Sequence, residues 1–303
     1  MSSELAGLVL AAGAGTRLRP LTDLRPKPLC PVGNVALLDL ALNRVATALR
    51  AASAHRRGED PAVAVNLSHG RAAIEAHLDQ LEDQYARGRR GLSDAIALHR
   101  SVEPVALGTA GAVGPLRRWL DGRSLLIVNA DTWCPAPLGP LVQGWDGRSI
   151  TVAVSGPPPL GARSGVVASI LPWSEVVQIP TDPEPCGLWE RFWRQALAED
   201  RLVSVGVDGP FVDCGTPAEY LRANLAAAEL GPTDRNGCLI HPSATMAPTA
   251  VLRRSVVGPG ATVAGQLDRC VVWAGATVAA GEDLQRCIRT GPRLTVQVDV
   301  VAS

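Results

Sequence analysis

Residues Leu8 to Pro31 read Leu-Val-Leu-Ala-Ala-Gly-Ala-Gly-Thr-Arg-Leu-Arg-Pro-Leu-Thr-Asp-Leu-Arg-Pro-Lys-Pro-Leu-Cys-Pro. The stretch from Leu5 to Ala11 is apolar and ends in Ala-Gly punctuation, which predicts a short strand buried within a parallel sheet. Ala12, Gly13, Ala14, Gly15 and Thr16 follow. The two glycines carry no Cβ, so backbone N–H groups there can approach an anion. Arg17, Arg19, Arg25 and Lys27 come next; a guanidinium fork matches phosphate oxygens, and Lys acts as a point charge. Pro20, Pro26, Pro28 and Pro31 stiffen the loop and reduce the entropy lost when a ligand orders it. The stretch predicts a rigid anion cradle. It is not a Walker A loop, because Gly-x-x-x-x-Gly-Lys-Ser/Thr is absent. It is not a dinucleotide fingerprint either, because Leu18 stands where the third Gly would be.

Composition narrows the class. A chain of 303 residues can bury a full core and form two domains. Lys plus Arg (29) balances Asp plus Glu (29), so no basic face for nucleic acid is implied. The seven Cys show no C-x-x-C pairs or His-rich spacing, so neither a zinc site nor a disulfide framework is predicted. They read as buried or semi-buried thiols in a reducing, cytoplasmic setting. The N-terminal apolar run is too short for a membrane span and leads straight into the Gly loop, so no signal peptide is expected.

To about Leu230, strand and helix patterns alternate. Helices are expected over Asn34–Ala52, Arg71–Tyr85, Ala110–Leu120 and Ala218–Leu230. Strands are expected over Ala62–Asn66, Ala95–Arg100, Ser124–Asn129, Ser149–Ser155 and Phe211–Val212. Such alternation predicts an α/β fold, a Rossmann-like mostly parallel sheet with helices on both faces, in a domain spanning 1–232. Ligands of such sheets gather at the carboxyl ends of the strands, where the Gly loop, Asn66 to Gly70, Glu103 to Gly111 and Asn129 to Trp133 all fall. From about Leu239 aliphatics recur at five- to seven-residue steps: Ile240, Met246, Val251, Val257, Val263, Val272, Val278 and Leu284. With the interleaved Gly-Ala-Thr strings they predict a short parallel β-helix over 233–303, one aliphatic per face pointing inward. Its open end calls for a cover, so a homo-oligomer is expected.

The strings Leu10-Ala-Ala-Gly-Ala-Gly-Thr-Arg-Leu-Arg-Pro-Leu-Thr22, Pro26-Lys-Pro28, Asn66-Leu-Ser-His69, Leu107-Gly-Thr-Ala-Gly111, Asn129-Ala-Asp131 and Asp213-Cys-Gly-Thr-Pro217 with Tyr220 occur in order. In these the chain resembles the sugar-phosphate nucleotidyltransferase family, and within it the bacterial mannose-1-phosphate guanylyltransferase type. The resemblance covers most of residues 5 to 230, and a left-handed hexapeptide-repeat tail is common in that family. It implies attack by a sugar 1-phosphate oxygen on the α-phosphorus of a nucleoside triphosphate, with release of pyrophosphate. Positioning and charge neutralisation would supply most of the catalysis.

Leu10 to Thr16 would then cradle the triphosphate, Arg17 would neutralise the leaving pyrophosphate, and Lys27 would contact the reacting phosphates. Leu107, Gly108 and Thr109 would pack on base and ribose. Asn129 and Gly165 would lie by the sugar phosphate. Asp131 and Asp213 would hold Mg²⁺, which prefers one or two carboxylates plus phosphates and water; each alone also reads as a cap or turn residue. Glu103 could accept from N1–H and N2–H₂ of guanine, which favours GTP, or be a solvated loop charge. Thr216 reads first as the cap of a Thr-Pro-Ala-Glu box. His69 reads as readily as a core or capping residue as a ligand contact. Trp173, Trp189, Phe192 and Trp193 read as packing for a smaller substrate lobe.

The family's Glu-Lys-Pro after a central strand is missing. The strand Ser149–Ser155 runs into Gly-Pro-Pro-Pro-Leu-Gly-Ala-Arg-Ser-Gly165, and no Lys follows Lys27. Arg163 is the cation placed to substitute. Two other functions fit this departure: a catalytically silent regulatory subunit that binds a nucleotide sugar, and a uridylyl- or thymidylyltransferase for an unusual sugar or cyclitol phosphate.

Overall fold

The computed structural model describes residues 4–52, 60–87, 96–161, 164–234, 236–291 and 294–298. Arg163 lies outside the described residues. The chain divides into two compact units, Met1–Ala14 with Leu38–Phe211, and Gly15–Leu37 with Val212–Ser303. These differ from a division at 232: the second half of the Gly loop and the helix after Thr216 group with the C-terminal strands.

The first unit is built on seven strands: β1 (Leu5–Leu10), β2 (Ala62–Leu67), β3 (Ala97–Val102), β4 (Ser124–Asn129), β5 (Ile150–Ser155), β6 (Gly165–Leu171) and β7 (Leu202–Val207). Their spatial order is β7-β5-β6-β4-β1-β2-β3. β6 runs antiparallel to β4 and β5, and the other pairings are parallel. The mostly parallel sheet thus stands as expected, with β1 central and its interior residues buried. Gly7 of β1 lets a helix approach closely, since a Cβ there would lie 2.3 Å from Val45 Cγ1.

That helix, Leu37–Ala52, buries Leu37, Leu38, Leu42, Val45 and Leu49 as its period predicts. It begins later than Asn34 because Gly33 and Asn34 adopt φ of 58° and 70°. They turn a tight hairpin between Pro31–Val32 and Val35–Ala36. The continuous helix expected over Ala110–Leu120 is instead broken into Gly108–Gly111, a 3₁₀ turn Gly114–Leu116, and Arg117–Leu120. Pro115 interrupts the hydrogen-bond ladder there. The aromatic segment also departs from expectation. Phe192 and Trp193 are buried in the core of the main sheet with Trp173 packed against it, and form no separate lobe. Trp189 is 40% exposed.

In the second unit, Thr216 caps the helix Pro217–Leu230, its Oγ1 accepting from Glu219 N at 3.3 Å. Three short sheets follow, in which strands stack in parallel: Leu239 on Val256 on Val271 on Ile288, Thr245 on Thr262 on Thr277, and Val251 on Gln266 on Asp283. These are the faces of the expected β-helix. Val257, Val263, Val272 and Val278 point inward as predicted. Val251 does not: it is 48% exposed and Leu252 is buried in its place. A one-residue shift within a strand moves a side chain to the other face. The strand Thr295–Gln297 pairs antiparallel with Cys287–Arg289 and extends that sheet beyond the last parallel strand. All seven cysteines are free thiols. Burial pushes the Cys30 thiol up to about 12, against the pull of Arg25 and Lys27.

Candidate active site

The Gly loop owes its shape to a few contacts. Gly15 has φ of 62°, and a Cβ on it would come within 2.9 Å of Thr22 Cγ2 and 3.0 Å of Lys27 Cβ, so only Gly fits. Thr22 Oγ1 donates to the Gly15 carbonyl at 3.0 Å, folding the segment back on itself. Thr16–Leu18 form a 3₁₀ turn anchored by buried Leu18. A Cβ on Gly13, by contrast, would meet nothing within 4 Å. Its face is open, as an anion cradle requires.

Within the second unit two of the loop's four cations, Lys27 and Arg17, meet one carboxylate. Lys27 is 6% exposed, and its Nζ lies 3.3 Å from Asp213 Oδ1. Arg17 NH2 lies 3.5 Å from Asp213 Oδ2. Gly215 makes this possible, because a Cβ there would meet the Arg17 guanidinium at 3.0–3.2 Å. Asp213 ends the strand Val212–Asp213, which fixes its backbone. Taking an ammonium out of water is costly unless it is paired, and Asp213 supplies the pair. The result is a concentrated, preorganised positive charge around one acid, suited to gripping phosphate oxygens.

In the first unit a buried relay braces two loops. Asn66, at the carboxyl end of β2, accepts from Ala11 N at 2.7 Å through Oδ1 and donates from Nδ2 to Glu103 Oε1 at 2.8 Å. Glu103 Oε2 in turn accepts from Leu107 N at 2.9 Å. Glu103 is therefore no solvated loop charge: it is 3% exposed and engaged through both oxygens. Sequence reading singles out Asn66 only as part of a string; its signal is an amide placed at a strand end beside the Gly loop. Asn66→Ala strands two buried partners, so it is expected to lower stability by about 2–3 kcal/mol in denaturant titration. Nucleotide KM is expected to rise roughly tenfold with it, because the loop loses its tether. Unchanged stability would show the relay to be idle.

The turn Leu107 to Gly111 is locked against a second segment. Ala110 N and Gly111 N donate to the Cys186 carbonyl at 3.0 and 3.3 Å, Cys186 N donates to Leu107 O, and Leu188 N donates to Thr109 Oγ1. Gly108, with φ of 74°, leaves no room for a Cβ beside Cys186 O. Asn129 ends β4 and lines a cavity of about 180 Å³ with Leu10 and Thr109. Asp131 follows it, half-buried. Gly165 sits under the Phe211 ring, which a Cβ would strike at 2.4 Å. His69 is exposed in the turn before the helix Arg71–Ala86.

The nucleotidyl transferase family model matches residues 6–158. The mannose-1-phosphate guanylyltransferase of Mycobacterium tuberculosis is 26% identical over 93% of this chain and 84% of its own length. The N-acetylmuramate alpha-1-phosphate uridylyltransferase of Caulobacter vibrioides is 30% identical over 73% of this chain and 96% of its own. A Bacillus anthracis structure assigned as a glucose-1-phosphate thymidylyltransferase superposes with a TM-score of 0.58 at 16% identity, covering 76% of this chain and 98% of that one.

Proposed function

Because the chain belongs to the nucleotidyl transferase family and joins nucleotides to sugar phosphates, we propose that GTP is its donor and that it makes a GDP-sugar with the aid of Mg²⁺. The observation that carries the mechanism is the charge cluster of Lys27 and Arg17 on Asp213. Lys27 holds the reacting phosphates against the incoming sugar phosphate oxygen. Arg17, 69% exposed in its side chain, turns to the pyrophosphate as it leaves. The amides of Ala11 to Thr16 fix the triphosphate, with Asn66 holding the first of these residues in place.

The donor set fits a hard cation. Mg²⁺ prefers one or two carboxylates, with phosphate and water as its remaining ligands. Asp213, 40% exposed and held by contacts of 3.3 and 3.5 Å, retains oxygen lone pairs for such an ion. When bound, Mg²⁺ supplies neutralisation of phosphate charge.

GTP is favoured by the guanylyltransferase relative, whose match covers most of this chain. A uridylyltransferase reading is favoured instead by the shorter but more identical Caulobacter match. Pyrophosphate release from GTP, UTP and dTTP with a panel of sugar 1-phosphates separates them. We expect the highest kcat/KM with GTP, and loss of turnover in EDTA that Mg²⁺ restores. Fastest turnover with UTP would establish the second reading. No release with any pair would leave a binding protein.

A further inference from the structure

Three glycines stand three residues apart in the broken helical stretch after Leu107: Gly108, Gly111 and Gly114. The backbone of residues 180–186 runs along them. A Cβ on Gly108 would lie 2.5 Å from the Cys186 carbonyl oxygen, one on Gly111 3.3 Å from that of Glu184, and one on Gly114 2.1 Å from that of Pro180. Glycine at these positions lets two backbones meet. Residues 177–188 thus form a strap along the stretch 107–117. At one end Arg117 NH1 donates to the carbonyls of Val177 and Ile179 at 3.0 and 3.2 Å. At the other, Leu188 N donates to Thr109 Oγ1 at 2.8 Å. Leu188 is buried, and a buried N–H needs an acceptor. Around this bond the strap becomes a wall: Gly187, Leu188 and Glu190 line the cavity at the carboxyl ends of β1 and β4, together with Leu10 and Asn129. The Leu10 side is referred to the same turn. Ala11 N is bound by Asn66, Asn66 by Glu103, and Glu103 by the N–H of Leu107, two residues before Thr109.

Resting on the nucleotidyltransferase reading, we propose that Thr109 is a positioning residue: through Leu188 N it holds the 187–190 wall in place relative to Leu10, and so sets the affinity for the acceptor. The wall needs such a tie. Gly187 adjoins the bonded residue, and glycine leaves its backbone free to turn unless something outside it fixes the path. Thr109 suits the task, because a β-branched side chain has few χ1 choices and carries its oxygen on a stiff arm. Its backbone is fixed in turn, since Ala110 N and Gly111 N donate to the Cys186 carbonyl. The hydroxyl of Thr109 is thereby committed to the strap. Its effect on a ligand passes through the placement of Gly187, Leu188 and Glu190, and a displacement of about 1 Å in such a wall is enough to weaken a bound reactant's alignment.

Two substitutions in the whole chain test this. Thr109→Val keeps size and branching but removes the acceptor, and Thr109→Ser keeps the acceptor. In Thr109→Val, hydrogen exchange at the Leu188 amide should quicken about tenfold. The KM for the sugar 1-phosphate that turns over fastest should rise about tenfold, well beyond any rise in the KM for nucleotide. Thr109→Ser should bring both readings back toward native values. Thr109→Ala presses no methyl on the Leu188 N–H and gives the same two readings should the valine variant not fold. Unchanged exchange at Leu188, an unchanged acceptor KM, equal rises in both KM values, or no recovery with serine would each overturn the proposal. Faster exchange at Leu188 in a chain that turns over no pair of nucleotide and sugar 1-phosphate would keep the tie to Thr109, and would reject nucleotidyl transfer and the acceptor role with it.

Discussion

Replacing Lys27 with Met is expected to lower kcat by about 10²–10³-fold while leaving the fold intact. Lys27 is the only lysine in the chain, so no second ammonium can move into its place. Its side chain is 7% exposed and its charge is directed at Asp213. Methionine has similar length and keeps the packing, so the loss reports on charge rather than volume. Binding of nucleotide should weaken only a few-fold, because the backbone cradle remains; the loss should fall on kcat. Arginine should not restore activity, since its planar fork needs more room than an ammonium. Thermal denaturation should move little, because Asp213 keeps Arg17 and is itself 40% exposed. Single-turnover kinetics measure the chemical step directly. A variant that retains near-native kcat would remove Lys27 from the mechanism. Amine-directed acetylation offers a second check, since modification at Lys27 should be slowed by bound nucleotide.

Tyr220→Phe is expected to cost about 2–4 kcal/mol of stability, a Tm shift of roughly 5–10 °C. Tyr220 is fully buried in the helix Pro217–Leu230. Its hydroxyl donates to the Pro31 carbonyl and accepts from Trp273 Nε1, the latter at 3.0 Å. One oxygen atom therefore ties the end of the cationic loop, the helix and the β-helix together. Burial raises the phenol's pKa well above its ordinary value, so it remains a donor at all physiological pH. The variant deletes no volume worth noting but leaves the Trp273 N–H, 4% exposed, without its acceptor. A double-mutant cycle with Trp273→Phe is the decisive measurement. Removing both partners should recover part of the loss, giving a coupling above about 0.5 kcal/mol. Additive effects would mean that packing, not the hydrogen bond, holds these elements.

The neighbouring contacts show how the loop is held. Gly33 N donates to Asn224 Oδ1 at 3.0 Å, and Asn34 Nδ2 donates to the Val257 carbonyl at 3.1 Å. Arg25 lies over the Trp273 ring, 5.1 Å from its centroid. Stability of the C-terminal strands and order in the cationic loop are thus linked, and a destabilising change in either should be felt in the other.

Much of this was legible in one dimension because the signals are local. A run of small and apolar residues makes β1 a buried strand. Gly15, with its left-handed φ and tight surroundings, is required by the loop's own geometry. Capping chemistry started the helix after Thr216 as predicted, and period predicted the buried face of Leu37–Ala52. What failed was also physical. The expected helix through Gly114 and Pro115 ignored how early a proline breaks the ladder. The inward choice of Val251 over Leu252 turned on a single-residue register that apolar spacing does not set.

By itself, then, the sequence determined the fold class, the family and the tight turn of the Gly loop, because these follow from residue type, spacing and backbone freedom within short segments. Only the tertiary structure decided that Glu103 is a buried brace and that Lys27 and Arg17 share Asp213. Each of these depends on groups far apart in the chain. Their energetics come from desolvation and pairing, which exist only once the chain has excluded water around them.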